Sequence, residues 1–278
     1  MSDVSSFMII ISDLDGTLLD ASTYSYTAAT DALEALKKKN ACLVLASSKT
    51  RAELEPIRER LGHRGPFIVE NGGALFVPSS IFFSTPPASA MAPDGYEIVQ
   101  LGMPYSRLRT ALKEIAAVLN IEIQGFGDLS IEQVAKLTEL THDKAMLAKQ
   151  REYDEPFVLG DDALIKSVCR EAAARGLTCT RGGRFYHLLG PNDKGTACRV
   201  LLQRCRRQLA ASQRRLYAVG IGDSANDVPM LATVDQPILV QRADGSYDPT
   251  VHMPNLIHAP GIGPVGWNAA ILNILKDE

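Results

Sequence analysis

Met8-Ile9-Ile10-Ile11-Ser12-Asp13-Leu14-Asp15-Gly16-Thr17 is the stretch around which the chain is organised. Its first half is a continuous apolar run, the pattern of a strand buried on both faces, and it stops at two carboxylates. Such a strand belongs in an open parallel α/β sheet, where ligands bind in the crevice beyond the carboxyl ends of the strands. Asp13 and Asp15 alternate with Leu14, so a regular strand would aim both carboxylates at one face, while Gly16 signals that the chain is already turning. Two crowded carboxylates repel unless a proton or a cation intervenes. A hard divalent ion such as Mg2+ suits that place, because it takes oxygen ligands and can hold a phosphate as well. The same residues also read as a plain Asp-Gly turn, and later stretches have to discriminate.

Composition narrows the classes. A chain of 278 residues, 46 % of them hydrophobic, is long for one ordinary unit and suits two with separate cores. A net charge of −3 argues against a general nucleic-acid or membrane-surface binder and for a small partner. The 5 cysteines, Cys42, Cys169, Cys179, Cys198 and Cys205, show no Cys-x-x-Cys spacing, so neither a disulfide framework nor a zinc site is expected. Met8 to Ile11 is too short for a signal-peptide core and no run approaches a membrane span, which predicts a cytosolic protein.

Strand and helix patterns alternate along the chain. A helix is expected over Thr27 to Lys39, a strand over Ala41 to Ala46, a second helix through Leu61, and a strand over Pro66 to Val69 closing on Glu70-Asn71-Gly72-Gly73. Ala74 to Pro78 with Ile81 to Phe83 reads as a short hairpin. The Pro-rich Ser84-Thr85-Pro86-Pro87-Ala88-Ser89 then reads as a linker. From residue 85 to 189 the pattern predicts a small α+β unit inserted in the main fold, with strands at Tyr96 to Leu101, Ile121 to Phe126, Pro156 to Leu159 and Leu177 to Leu189. Ser130 and Gln133 have capping-box spacing within it. A crossover helix from Lys194, a buried strand over Leu216 to Ile221, two short strands and a closing helix over Val265 to Leu275 complete the core. The fold class is α/β: a Rossmann-like parallel sheet (residues 1–84 and 190–278) with an inserted α+β cap domain (85–189).

Gly220-Ile221-Gly222-Asp223-Ser224-Ala225-Asn226-Asp227 is a second acidic strand tip. Its glycines permit close backbone approach, and a helix beginning near Asn226 would direct free amides to the site. Asp223 or Asn226 would serve equally as the N-cap of that helix. Ser47, ending the strand before Ser48-Lys49-Thr50-Arg51, and Lys194, in Asn192-Asp193-Lys194-Gly195, are uninformative alone.

Taken together and in this order, Asp13-Leu14-Asp15-Gly16-Thr17, Ser47, Lys194 and Gly222-Asp223-x-x-Asn226-Asp227 resemble the four motifs of the haloacid dehalogenase-like phosphatase superfamily. The resemblance implies Asp13 as the nucleophile attacking phosphorus and Asp15 as general acid and base, protonated by crowding and burial. It implies Ser47 and Lys194 on the phosphoryl oxygens, and Mg2+ held by Asp13, the Asp15 backbone carbonyl and Asp223, with Asp227 in support.

Three further stretches, Ser47 to Glu53, Arg151 to Phe157, and Gly182-Gly183-Arg184-Phe185-Tyr186-His187, are similar to the mannosyl-3-phosphoglycerate phosphatase branch of the superfamily's Cof-like group. That likeness implies a small phosphorylated sugar acid as partner, no nucleic acid and no membrane. It also implies substrate contacts from Ser48, Lys49, Arg51, Asn71, Arg151, Glu152, Arg181, Gly183, Arg184 and Asn226. A guanidinium suits a glycerate carboxylate, and Arg51, Arg151, Arg181 and Arg184 stay equal candidates, while Glu and Tyr suit sugar hydroxyls. His187 and His252 are less promising, since neither has metal-ligand spacing. A different Cof-like sugar phosphatase, including one for glucosyl-3-phosphoglycerate, a phosphomannomutase-like mutase and a noncatalytic sensor are the rival expectations.

Overall fold

The computed structural model describes residues 6–79, 95–182 and 184–276. The chain runs from β1 (Ser6–Ser12) through α1 (Thr30–Lys38) to β2 (Cys42–Ala46), then through α2 (Arg51–Leu61) to β3 (Phe67–Val69). A tight turn at Glu70–Gly72 reverses it into β4 (Ala74–Pro78), which β5 (Tyr96–Gln100) flanks antiparallel. The inserted segment holds α3 (Tyr105–Leu119), β6 (Ile123–Gly125), α4 (Ile131–Thr138), α5 (His142–Ala148), β7 (Asp154–Leu159), α6 (Ile165–Ala174), β8 (Thr178–Gly182) and β9 (Phe185–Leu189). The chain then returns through α7 (Lys194–Ala211), β10 (Arg215–Gly222), α8 (Val228–Leu231), β11 (Gln236–Gln241), β12 (Ile257–Ile262) and α9 (Pro264–Ile274).

β1 sits inside an eight-stranded sheet of order β12-β11-β10-β1-β2-β3-β4-β5, parallel from β12 to β3 and antiparallel beyond. Its apolar run is buried on both faces because alternate residues enter two different cores. Met8 and Ile10 pack with Leu36, Leu54 and Trp267 on the side of α1, α2 and α9, while Ile9 and Ile11 pack with Ala197, Leu201 and Met230 under α7 and α8. A capping box between Thr50 and Glu53 starts α2 immediately after the β2 tip, which fixes the loop carrying Ser47 to Lys49.

The insert builds a second sheet, β6-β7-β9-β8, wholly antiparallel. Phe157, Tyr186 and Leu188 bury one face of it with Leu108 and Val168 from α3 and α6, while Pro156, Phe185 and His187 look toward the β1 and β10 tips. The Ser130–Gln133 capping box is present at the start of α4. No helix among the described residues is long and apolar enough to cross a membrane.

Two expectations are corrected. Ala74–Pro78 pairs with Tyr96–Gln100, and Ile81 to Phe83, together with the Pro-rich stretch, lies outside the described residues. The strand assigned to the insert therefore belongs to the large sheet. The reason is burial: Ile98 and Val99 pack into the two core clusters on opposite faces of that sheet. The helix expected near Asn226 is a 3-10 turn, Ala225–Asp227, followed by a single α-helical turn.

Candidate active site

The acidic strand tips converge. The Asp13 amide donates to Ile221 O at 2.9 Å, tying the end of β1 to β10. Trp267 Nε1 donates to Ser12 Oγ at 3.0 Å, and Ser12 Oγ donates to Asp13 O at 2.6 Å, so the C-terminal helix holds this peptide in place. Nothing in the linear pattern marks Trp267 for that task.

Lys194, the first residue of α7, is 1 % exposed and lies between two carboxylates, with Nζ 2.6 Å from Asp13 Oδ1 and 2.7 Å from Asp227 Oδ1. The other Asp227 oxygen accepts from the amides of Asp223 (3.0 Å) and Ser224 (3.3 Å). Those amides are thus committed inside the protein. Asp13, Asp223 and Asp227 each bring a carboxylate oxygen within 4.8 Å of the others. Burial pushes the Asp13 carboxyl well above its usual range, Lys194 opposes this, and Asp227 and Asp223 add to the rise. Burial, then Asp227, pushes Asp223 up to about 6. Lys194 is held above the usual ammonium range because attraction to Asp13 and Asp227 outweighs its own desolvation.

Three acidic groups against one ammonium leave an excess that one divalent cation would match, and the donors are all oxygen, as Mg2+ requires. The site therefore fits the expected metal. Two glycines allow the crowding. A Cβ on Gly222 would stand 2.4 Å from Asp227 Oδ2, and Gly16, at φ +78, would set one 2.9 Å from Asp223 Oδ2.

Asp15 departs from the crowded pair that its spacing suggests. Its side chain lies outside the three-carboxylate cluster, with Oδ2 2.9 Å from Lys49 Nζ and Oδ1 buried without a hydrogen-bond partner. The strand ends at Ser12 and the chain turns from Leu14, so Asp15 does not continue the alternation of β1, and the charge crowded against Asp13 comes instead from the turn after β10. Ser47 is buried at the β2 tip, its Oγ accepting from the Lys49 amide at 3.1 Å, and it does not line the cleft.

Above the cluster opens a cleft of about 720 Å³, roofed by the smaller sheet and within the usual size range of ligand sites. Ser48, Lys49 and Asn226 line it from the core, and Arg151, Arg181 and Arg184 from the insert. These arginines differ. Arg151 is half-buried as a residue, its side chain only 7 % exposed, and it is committed, donating to Ser48 O and Ala148 O at 2.8 Å each. The Arg181 guanidinium lies over the Tyr186 ring, a cross-strand partner on the sheet face packed against helices. Arg184, at the hairpin turn, is 59 % exposed and pairs with Glu139 at 2.9 Å.

Three expected substrate contacts are not brought to the cleft, and a fourth, Gly183, lies outside the described residues. Arg51 stacks on Phe76 and pairs with Glu55. Glu152 borders a separate depression with Arg51, and its amide and that of Tyr153 donate to Glu70. Asn71 is buried, giving its amide group to Asp154 at 3.1 Å. Tyr153 and Tyr186, the tyrosines of the Arg151 to Phe157 and Gly182 to His187 stretches, are core residues. Conversely, Tyr24, Arg242, Asp248 and His187 line the cleft unforeseen. Tyr24 has Lys49 and Lys144 over its ring at 5.0 and 4.9 Å, so it bridges the core and the insert.

A family model described as haloacid dehalogenase-like hydrolase matches residues 10–248. A glucosyl-3-phosphoglycerate/mannosyl-3-phosphoglycerate phosphatase from Methanococcoides burtonii is 46 % identical over 96 % of this chain and 97 % of that protein. One of the same description from Persephonella marina is 40 % identical over 97 % and 98 %. A mannosyl-3-phosphoglycerate phosphatase from Pyrococcus furiosus is 38 % identical over 84 % and 90 %. Among solved structures, a haloalkanoate-superfamily phosphatase from Bacteroides thetaiotaomicron superposes with a TM-score of 0.66 at 16 % identity, over 98 % of this chain and 96 % of that one, a likeness of fold. With the strand tips, the four motifs and this extent of match in agreement, the chain belongs to the haloacid dehalogenase-like hydrolases.

Proposed function

We propose that the chain is a Mg2+-dependent phosphatase that releases phosphate from a glycosylated 3-phosphoglycerate, mannosyl- or glucosyl-, through a covalent phosphoryl group on Asp13. The observation that carries this is the Asp13–Lys194–Asp227 constellation beside Asp223, at the base of a cleft whose roof carries exposed guanidinium groups. The activities for which the relatives are named support the substrate. The family and the all-oxygen donor set support Mg2+, which Asp13, Asp223 and Asp227 would hold and which, when bound, screens the anionic nucleophile from the anionic substrate. Five free cysteines, Cys198 and Cys205 buried, suit the reducing cytoplasm.

Within this reading Asp13 attacks phosphorus and the leaving alkoxide takes a proton from Asp15, which then deprotonates the water that hydrolyses the phosphoryl-enzyme. Lys49 at 2.9 Å is the counter-charge of Asp15 once its proton has passed to the leaving group and before it takes one from water. Lys194 orients Asp13 and offsets charge gathering on the phosphoryl oxygens, and Ser47 shapes the loop presenting Ser48 and Lys49. Residues up to 100 and from 190 act as the catalytic core, and the segment between acts as the specificity cap. Among the candidate arginines we assign the carboxylate to Arg184, whose exposed pair with Glu139 a substrate carboxylate can replace, since Arg151 is committed to backbone carbonyls, Arg181 stacks on Tyr186 and Arg51 is outside the cleft.

The test is phosphate release from mannosyl-3-phosphoglycerate, glucosyl-3-phosphoglycerate and hexose 6-phosphates, each with Mg2+ and after exhaustive chelation. Preference for the two glycosyl phosphoglycerates, lost on chelation, is expected. Undiminished turnover without metal, or product isomers in place of free phosphate, would reject the proposal.

A further inference from the structure

β7 and β9 pair antiparallel in the register Asp154↔Leu189 and Pro156↔His187, which puts Asp154, Pro156 and His187 on one face of the smaller sheet. The opposite face, with Phe157, Tyr186 and Leu188, is packed in the insert's own core. On the face toward the catalytic aspartates, His187 Nδ1 meets Asp154 Oδ2 at 2.8 Å and Oδ1 at 3.0 Å. Asp154 is fully buried, and the same carboxylate accepts from Asn71 Nδ2 at 3.1 Å and lies 3.6 Å from Arg151 Nη1. Its surroundings thus keep it an acceptor, and an acceptor at Nδ1 fixes that nitrogen as the donor of the ring. His187 lines the cleft, and no hydrogen-bond partner among the described residues engages its Nε2.

We infer that His187 is a specificity-determining residue of the cap, its Nε2 hydrogen-bonding a hydroxyl on the organic part of the substrate. With Nδ1 turned to Asp154, Nε2 is the ring nitrogen left for the cleft, and a sugar or polyol hydroxyl, which can both donate and accept, suits it. The Asp154 carboxylate holds the ring against rotation, so the contact is pre-formed and its ordering cost is small. His187 approaches from the sheet above the cleft and stands apart from the Asp13, Asp223 and Asp227 cluster, which selects the leaving-group end of the substrate over the phosphoryl group.

The inference rests on the proposed hydrolysis of a hydroxylated phosphomonoester, and the experiment separates the two. Wild type, His187→Ala and His187→Phe are compared for kcat and KM on mannosyl-3-phosphoglycerate, mannose 6-phosphate and p-nitrophenyl phosphate, with thermal unfolding of each protein. Asp154 is left unchanged because it also holds Asn71 and Arg151. Loss of a positioned hydrogen bond predicts a fall of about 10- to 100-fold in kcat/KM on the hydroxylated substrates, mostly in KM. The fall on p-nitrophenyl phosphate, which has no hydroxyl on its leaving group, should be at least about tenfold smaller. Equal falls on all substrates, or unchanged values on the hydroxylated ones, would overturn the inference. If wild type ignores mannosyl-3-phosphoglycerate, the substrate proposal fails alone, and His187 is then judged on mannose 6-phosphate against p-nitrophenyl phosphate.

Discussion

Replacing Lys194 by Met keeps the side chain's length up to the ammonium and removes the charge from between Asp13 and Asp227, 2.6 and 2.7 Å away. The site is 1 % exposed, so water cannot take over the lost role. Breaking a buried ion pair by removing one partner costs about 3–5 kcal/mol, because the remaining charge is left uncompensated. Asp223 lies in the same cluster and adds to the repulsion. For a chain of this size the cost translates to a fall in Tm of roughly 6–20 °C in metal-free buffer. The deficit should grow with pH. Without the ammonium the folded carboxyls bind protons still more tightly, so their contribution is present at low pH and is lost as pH rises through their raised folded values, near and above the value of about 6 for Asp223. Activity should fall about 10²- to 10³-fold in kcat/KM, the scale for losing a positioned counter-charge in a closed site. Differential scanning calorimetry at pH 5 and pH 8, with phosphate release in parallel, checks both. A Tm within about 2 °C of wild type at both pH values, together with a kcat/KM within tenfold, would refute the role assigned to Lys194.

Asp13→Asn should retain less than about a hundredth of wild-type kcat, a barrier increase of about 2.7 kcal/mol, since an amide cannot attack phosphorus. Its metal-free Tm should stay within about 2 °C of wild type, because burial already disfavours the charge removed. Arg184→Ala should lower kcat/KM on the phosphoglycerate substrate by about 2–4 kcal/mol equivalent and on p-nitrophenyl phosphate far less, while Arg51→Ala, outside the cleft, should change neither more than about twofold. Burial holds the Glu70 carboxyl up at about 7, against the pull of Arg151 and the Glu152 and Tyr153 amides. Its stabilising contribution is therefore complete below the ordinary value of 4.5 and is lost as pH rises through about 7. Urea unfolding of wild type and Glu70→Gln at pH 4.5, 6 and 8 should show wild type losing ground to the variant by up to about 3 kcal/mol across that window, and parallel profiles would reject the assignment.

Much of this protein is written in contiguous stretches. Met8 to Ile11 determined a strand buried on both faces because each residue of an unbroken apolar run meets a core whichever way it points. The gathering of Asp13, Asp223, Asp227 and Lys194 was equally legible, since a strand tip, a Gly-Asp pattern and a helix start are local features and their order along the chain places them at one edge of a parallel sheet. What depends on distance across the chain was not. Asp15 looks crowded beside Asp13, yet the chain turns from Leu14 and Lys49 takes the Asp15 carboxylate. The four candidate arginines are alike in sequence, and packing alone distinguishes Arg51 on Phe76, Arg181 on Tyr186, Arg151 on the Ser48 carbonyl and Arg184 at the cleft. Tyr96–Gln100 follows a Pro-rich stretch and reads as the start of the insert, yet the free edge of β4 takes it into the large sheet. His187 means little until the register of β7 and β9 sets Asp154 beside it. A local pattern fixes which face of an element is buried and where it ends, whereas which side chain reaches a site is decided by contacts between residues far apart in the chain, and those exist only once the sheet order and strand register are set.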